Sequence, residues 1–185
     1  MNKKELNKIL KEHKEWLSNS NDGVMANLQD ADLRYADLRN ADLRYADLRN
    51  ADLRNAYLEG TNLQDANLQN ADLRNVDLQH ANLQDANLRY TDLRYANLRY
   101  ADLRNVDLRN VNLRYADLQN ANLDFSCFPL WCGSFGIIDD GRLIKQLLGH
   151  IARITTTDKK LAKWIKKIPK EYVNDLCNRH EIDEV

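Results

Sequence analysis

A period of five residues, held without a slip through twenty consecutive repeats, constrains this chain more than any other feature. It opens at Ala26-Asn27-Leu28-Gln29-Asp30 and closes at Ala121-Asn122-Leu123-Asp124-Phe125. The third position is leucine in all twenty repeats, and the first is alanine in fifteen, with Thr61, Val76, Thr91, Val106 and Val111 in the rest. The second is Asp or Asn in nineteen, Tyr57 being the exception, and the fourth is Arg or Gln in eighteen. A helix cannot bury this pattern, because five steps of about 100° carry successive leucines about 140° around the axis and leave no apolar stripe. A straight strand fails too, since its side chains alternate with period two and leucines five apart would point to opposite faces. An odd period therefore demands a corner in each repeat. A chain that turns after every short strand keeps the first and third positions inside and pairs its backbone with the coils above and below, which makes it a solenoid.

The tandem A(D/N)LXX pattern of residues 26–125 resembles the pentapeptide-repeat proteins. The resemblance implies a right-handed quadrilateral β-helix with four repeats per coil, hence about five coils and a stack roughly 24 Å tall at the usual strand spacing. We expect an all-β solenoid over residues 26–125, an N-terminal capping helix and turn over 1–25, and a C-terminal cap with a small α-helical module over 126–185.

Open solenoid ends expose unpaired backbone and need covering. Residues 4–17 place Leu6, Ile9, Leu10, His13 and Leu17 on one helical stripe, and Ser18 to Gly23 reads as a turn into the first coil. His13 is expected to pack there rather than to bind a ligand. After Phe125 the composition becomes aromatic, and the tail offers three short amphipathic helices. The first is capped by Asp139 or Asp140, the second by Thr157, and the third starts at Pro169. Terminal helices mediate dimers in the resembled family, so a homodimer is expected through Trp131, Leu147, Leu148, Ile151, Trp164, Ile165 and Ile168.

Twenty-seven Lys and Arg against 28 Asp and Glu leave a formal net charge of −1, so no global pull toward nucleic acid or membrane follows. No run of about eighteen apolar residues suggests a membrane span. Three cysteines, an odd number, fit a reducing cytoplasmic setting better than a disulfide framework. Cys127, Cys132, Cys177 and His180 form a weak zinc pattern, with buried structural cysteines the commoner reading, and no cofactor is expected. The lysines at 159, 160, 163, 166, 167 and 170 read as a solvated helix face, with contact to phosphates or an acidic partner the alternative.

A repeating convex wall offers no converging titratable set, so no enzyme is expected. Columns such as Asp32, Asp52, Asp72 and Asp92 should instead be neutralised by Arg34, Arg54, Arg74, Arg94 and Arg114. Six Arg-Tyr dipeptides stand on the wall, and four crowd the last eight repeats: Arg89-Tyr90, Arg94-Tyr95, Arg99-Tyr100 and Arg114-Tyr115. They are the candidate partner-binding residues, against the alternative that tyrosine merely suits a β surface and stacks on its neighbour. The expectation is thus a non-enzymatic interaction scaffold that presents a rigid surface to a protein partner. The family resemblance implies an alternative, a DNA-mimicking modulator of DNA gyrase or another type II topoisomerase. Direct nucleic-acid binding ranks last, because aspartates are interspersed among the arginines.

Overall fold

The computed structural model describes residues 1–19, 21–124, Ser126 and Lys163. The chain divides into two compact units, Met1–Ile138 and Asp139–Val185. In the second only Lys163 is described, exposed and helical. Trp131, Leu147, Leu148, Ile151, Trp164, Ile165 and Ile168 lie outside the described residues, as do Cys127, Cys132, Cys177, His180 and the other tail lysines.

Helix α1 spans Lys3–Leu17, with Asn2 as its N-cap accepting a hydrogen bond from the Glu5 N–H. Leu6 and His13 are buried, and Ile9, Leu10 and Leu17 are partly covered, so the expected stripe is the face that packs. Burial leaves His13 Nδ1 accepting the Ala26 N–H at 3.0 Å, which ties the helix to the first repeat. No helix among the described residues is long and apolar enough to cross a membrane.

From Asn27 to Asp102 the second residue of each repeat, Asn87 excepted, makes one short parallel bridge to the residue twenty positions further on. Five residues per side and twenty per coil give four sides. The first side carries the column Asn27, Asp47, Asn67, Asn87; the second Asp32, Asp52, Asp72, Asp92, Asn112; the third Asp37, Tyr57, Asp77, Asn97, Asp117; the fourth Asp42, Asn62, Asn82, Asp102, Asn122.

The backbone donors of an interior repeat are all accounted for, as burial of polar groups requires. In the repeat 51–55, the Ala51 N–H closes a turn on the Leu48 carbonyl. The Asp52 N–H reaches down to Ala31, and those of Leu53 and Asn55 reach up to Asp72 and Arg74. The fourth donor, Arg54 N–H, has no backbone partner in that scheme and bonds instead to Asp52 Oδ1. The same side-chain acceptor serves all nineteen repeats with Asp or Asn at the second position, which explains why the sequence demands those two residues there.

The fifth residue makes the corner with positive φ, between 56° and 65° from Asp30 to Asn120. Following a turn closed three residues apart, this is the signature of a type II turn, for which Gly, Asn and Asp are suited. All twenty repeat leucines are buried, none more than 4% exposed. First-position residues join them, except Ala31, Ala36 and Ala41, which are half-buried in the coil nearest α1. Thr61 and Thr91 bring hydroxyls into this interior and donate them to the Leu38 and Leu88 carbonyls at 2.8 and 2.7 Å, so neither is an orphan.

Candidate functional site

The wall is governed by a local rule linking the second and fourth positions. Wherever both Asp and Arg are present, the guanidinium folds back onto its own repeat: Nε donates to Oδ1 and a terminal nitrogen to Oδ2, at 2.5–2.9 Å. Nine arginines form such bidentate forks: Arg34, Arg39, Arg44, Arg49, Arg54, Arg74, Arg94, Arg104 and Arg109. On the second side Arg34, Arg54 and Arg74 also approach Asp52, Asp72 and Asp92 of the next coil at 3.5–3.8 Å. This is the expected mutual neutralisation along the column for Arg34, Arg54, Arg74 and Arg94, but not for Arg114, whose repeat carries Asn112. The forks hold Asp37 at about 2 and keep Asp32, Asp42, Asp47, Asp52 and Asp107 below the usual carboxylate range. At Asp72 burial pushes upward, and the Arg74 fork outweighs it.

Three arginines escape the rule because Asn stands at the second position. In the repeats of Arg89, Arg99 and Arg114 that residue is Asn87, Asn97 and Asn112, whose Oδ1 still caps the arginine N–H but offers no carboxylate. Among the described residues none of the three makes an ion pair. Each guanidinium lies instead over the following tyrosine ring: Arg89 over Tyr90 at 5.5 Å, Arg99 over Tyr100 at 5.9 Å and Arg114 over Tyr115 at 6.0 Å. Arg94, grouped with them on sequence, is held by Asp92. Buried Arg99 Nε has no hydrogen-bond partner.

The tyrosines differ from the sequence expectation. They occupy corners rather than a β surface, with φ of 62° at Tyr90, 60° at Tyr95, 59° at Tyr100 and 61° at Tyr115. Left-handed backbone costs a non-glycine residue about 1–2 kcal/mol, least for Asn and Asp, so a bulky ring there is retained against local preference. Stacking offsets part of it: Tyr95 lies parallel to Tyr115 at 5.0 Å, as the twenty-residue lag requires, and His80 to Tyr100 at 4.9 Å. The rings mark three successive corners, Tyr90 after the first side, Tyr95 and Tyr115 after the second, and Tyr100 after the third. Over residues 86–115 every fourth position is arginine, giving six arginines against three aspartates, whereas residues 26–85 hold six arginines against eleven acids. A near-neutral chain therefore carries a basic belt.

The family profile described as pentapeptide repeats (8 copies) matches residues 26–60, 51–89 and 91–124. The chain belongs to the pentapeptide-repeat family. Its members form right-handed quadrilateral β-helices and are generally structural or interaction proteins, and no enzymatic family is indicated. Among solved structures this pentapeptide-repeat chain is similar to a pentapeptide repeat protein from the Arabidopsis thaliana thylakoid lumen, with 26% identity and a TM-score of 0.51, over 74% of this chain and 83% of that one. It is also similar to QnrB1, a plasmid-mediated fluoroquinolone resistance protein, at 22% identity and TM-score 0.45 over 72% of both chains. A pentapeptide repeat protein from Nostoc PCC 7120 matches at 29% identity and TM-score 0.36, over 70% of this chain and 93% of that one. No curated protein matches the sequence.

Asn87, Asn97 and Asn112 were not singled out by sequence reasoning, although the signal was present. In a pentapeptide repeat the second residue decides what the fourth does, and Asn before Arg could have been read as an unpaired arginine. Trp16 was also missed. It stacks on His13 at 5.6 Å and meets Tyr45 edge-on at 6.1 Å, joining α1 to the corner of the first coil. No group of three or more His, Cys, Asp or Glu among the described residues is placed to hold a metal ion.

Proposed function

We propose that this chain is a non-enzymatic interaction scaffold of about five coils, which presents the corners and wall of residues 86–115 to a macromolecular partner. Arg89, Tyr90, Arg94, Tyr95, Arg99, Tyr100, Arg114 and Tyr115 form the contact surface. The observation that carries this reading is the set of four exposed tyrosines kept in left-handed corners, three of which, Tyr90, Tyr100 and Tyr115, lie under arginines without a carboxylate. Strain retained at the surface and rigid Arg-Tyr pairs are both features of binding sites. Capture from the native host tests it with Tyr95→Asn/Tyr100→Asn, the control being Tyr35→Asn, which removes a still more exposed ring beside a forked arginine. A partner lost with the double variant and kept with the control supports the reading; equal retention by all three overturns it.

The tail residues Trp131, Leu147, Leu148, Ile151, Trp164, Ile165 and Ile168 are proposed to dimerise the chain in a reducing cytoplasmic setting. Sedimentation analysis tests this, and a monomer at all concentrations refutes it. The excess of acids over residues 26–85 favours a second reading, modulation of DNA gyrase by an acidic wall. The forks oppose it by neutralising six of those eleven carboxylates within the wall. Inhibition or protection of gyrase in a supercoiling assay would establish it.

A further inference from the structure

We propose that the partner's contact segment is an acidic stretch of protein, bound through its carboxylates by Arg89, Arg99 and Arg114, and that Asn87, Asn97 and Asn112 are the residues that make this binding possible. This rests on the interaction surface above and assigns its chemistry.

The chain itself shows what these arginines are built to hold. In nine repeats of the same backbone geometry, the guanidinium at the fourth position grips a carboxylate in a bidentate fork. Where Asn replaces Asp, the cap on the arginine N–H is kept and only the carboxylate is withdrawn. The fold is thereby preserved while one fork is left open. Among the described residues the ring-stacked guanidinium occurs in these three repeats, and in the three other Arg-Tyr repeats, those of Arg34, Arg44 and Arg94, the aspartate fork takes its place. Fork and ring are alternative docking positions for one side chain. Stacking on tyrosine limits the guanidinium's rotamers, so less entropy is lost when a carboxylate arrives.

A phosphate could also take a fork, but the belt's layout favours a protein. The open arginines are interspersed with Asp92, Asp102 and Asp107, and Asp107 lies within electrostatic reach of Arg89. A nucleic-acid strand carries one charge per about 3.4 Å and would set phosphates against those aspartates. An acidic protein segment presents separate carboxylates, with uncharged residues between them to lie across the tyrosine rings.

The test uses the full chain and two fluorescein-labelled probes, poly-L-glutamate and a single-stranded oligodeoxynucleotide, with binding read by anisotropy at low and physiological salt. Asn87→Asp/Asn112→Asp should close two forks, convert both repeats to the A/V-D-L-R form found elsewhere, and weaken polyglutamate binding at least about tenfold, the effect of losing one or two charge-assisted contacts. Asn97→Asp, which sets a second carboxylate beside Asp77, is measured separately with its thermal midpoint. Asn27→Asp/Asn67→Asp adds the same two charges in repeats with Gln29 and Gln69, where there is no arginine to close, and should leave affinity within about twofold. Arg89→Gln/Arg114→Gln should abolish binding without altering any fork. Loss with the arginine variant but not with Asn87→Asp/Asn112→Asp, or equal loss with the control pair, overturns the role of the asparagines and leaves the surface standing. Tighter binding of the oligonucleotide than of polyglutamate, lost with the same variants, overturns the acidic-protein assignment alone. Partner capture that is insensitive to every arginine and tyrosine variant overturns the underlying surface itself.

Discussion

At the scale of single residues, the two side chains that depart from local preference are the corner tyrosines and His13. The corner column of Tyr90 makes the cost of the first visible: Asn50 and Asn70 below it form a ladder, Asn50 donating to Asp30 and Asn70 to Asn50 at 2.8 and 3.2 Å, and Asn110 stands above. Tyr90→Asn should extend that ladder and relieve left-handed strain, raising stability by about 1 kcal/mol while weakening partner capture. Thermal melts with binding read in parallel check this, and a lowered midpoint would show that the ring serves the fold. His13 tests the cap. Burial pushes its imidazole below the usual 6.5, against the pull of Asp42 and of the Arg44 backbone, with the Arg44 charge adding to the push. Its Nδ1 must stay unprotonated to accept from Ala26. Protons therefore favour the unfolded cap, so stability is full above pH 6.5 and declines as pH falls below it. His13→Gln, which can accept but not titrate, should show a flat midpoint from pH 7 to pH 5 where the native chain declines.

At the scale of elements, much was legible before any coordinates. Leucine at the third position of every repeat needs one interior, and all twenty leucines share it. The lag of twenty follows from four sides, and it places Tyr95 against Tyr115. The corner conformation of tyrosine was not legible, because residue preference at a left-handed corner points to Asn or Gly and tyrosine reads as a strand former. The open forks were written in the sequence at Asn87, Asn97 and Asn112 but vanish when charges are summed over the chain. Trp16 was hidden for a different reason: its contacts depend on where α1 docks, which no periodicity specifies. The leucine interior yields a stability prediction of its own. Leu73→Ala, in a central repeat and fully buried, should cost about 2–5 kcal/mol, since the rigid ladder cannot collapse around the cavity. Chemical denaturation measures it, and a loss below 1 kcal/mol would mean that the ladder hydrogen bonds, not the leucines, dominate.

For the whole molecule, near-zero net charge conceals a division between forked acids over residues 26–85 and an arginine-rich belt over 86–115. The depressed carboxylates give that division a pH signature. Their folded-state values lie below the unfolded ones, so their contribution is present above about pH 4 and is lost as pH falls toward 2, the value at Asp37. The forks are largely exposed, so each matters little and the decline should be gradual. The thermal midpoint of His13→Gln, followed from pH 6 to pH 2, should hold to about pH 4 and then slope downward; a flat curve to pH 2 would show the forks to be stability-neutral. The central proposal is that the tyrosine corners of residues 86–115 are where this scaffold meets its partner. Hydroxyl-radical footprinting of the chain with and without its captured partner reads those rings directly. Protection of Tyr90, Tyr95, Tyr100 and Tyr115 with Tyr35 unchanged is the expected result, and protection confined to Tyr35, Tyr45 or Tyr57 would contradict the proposal.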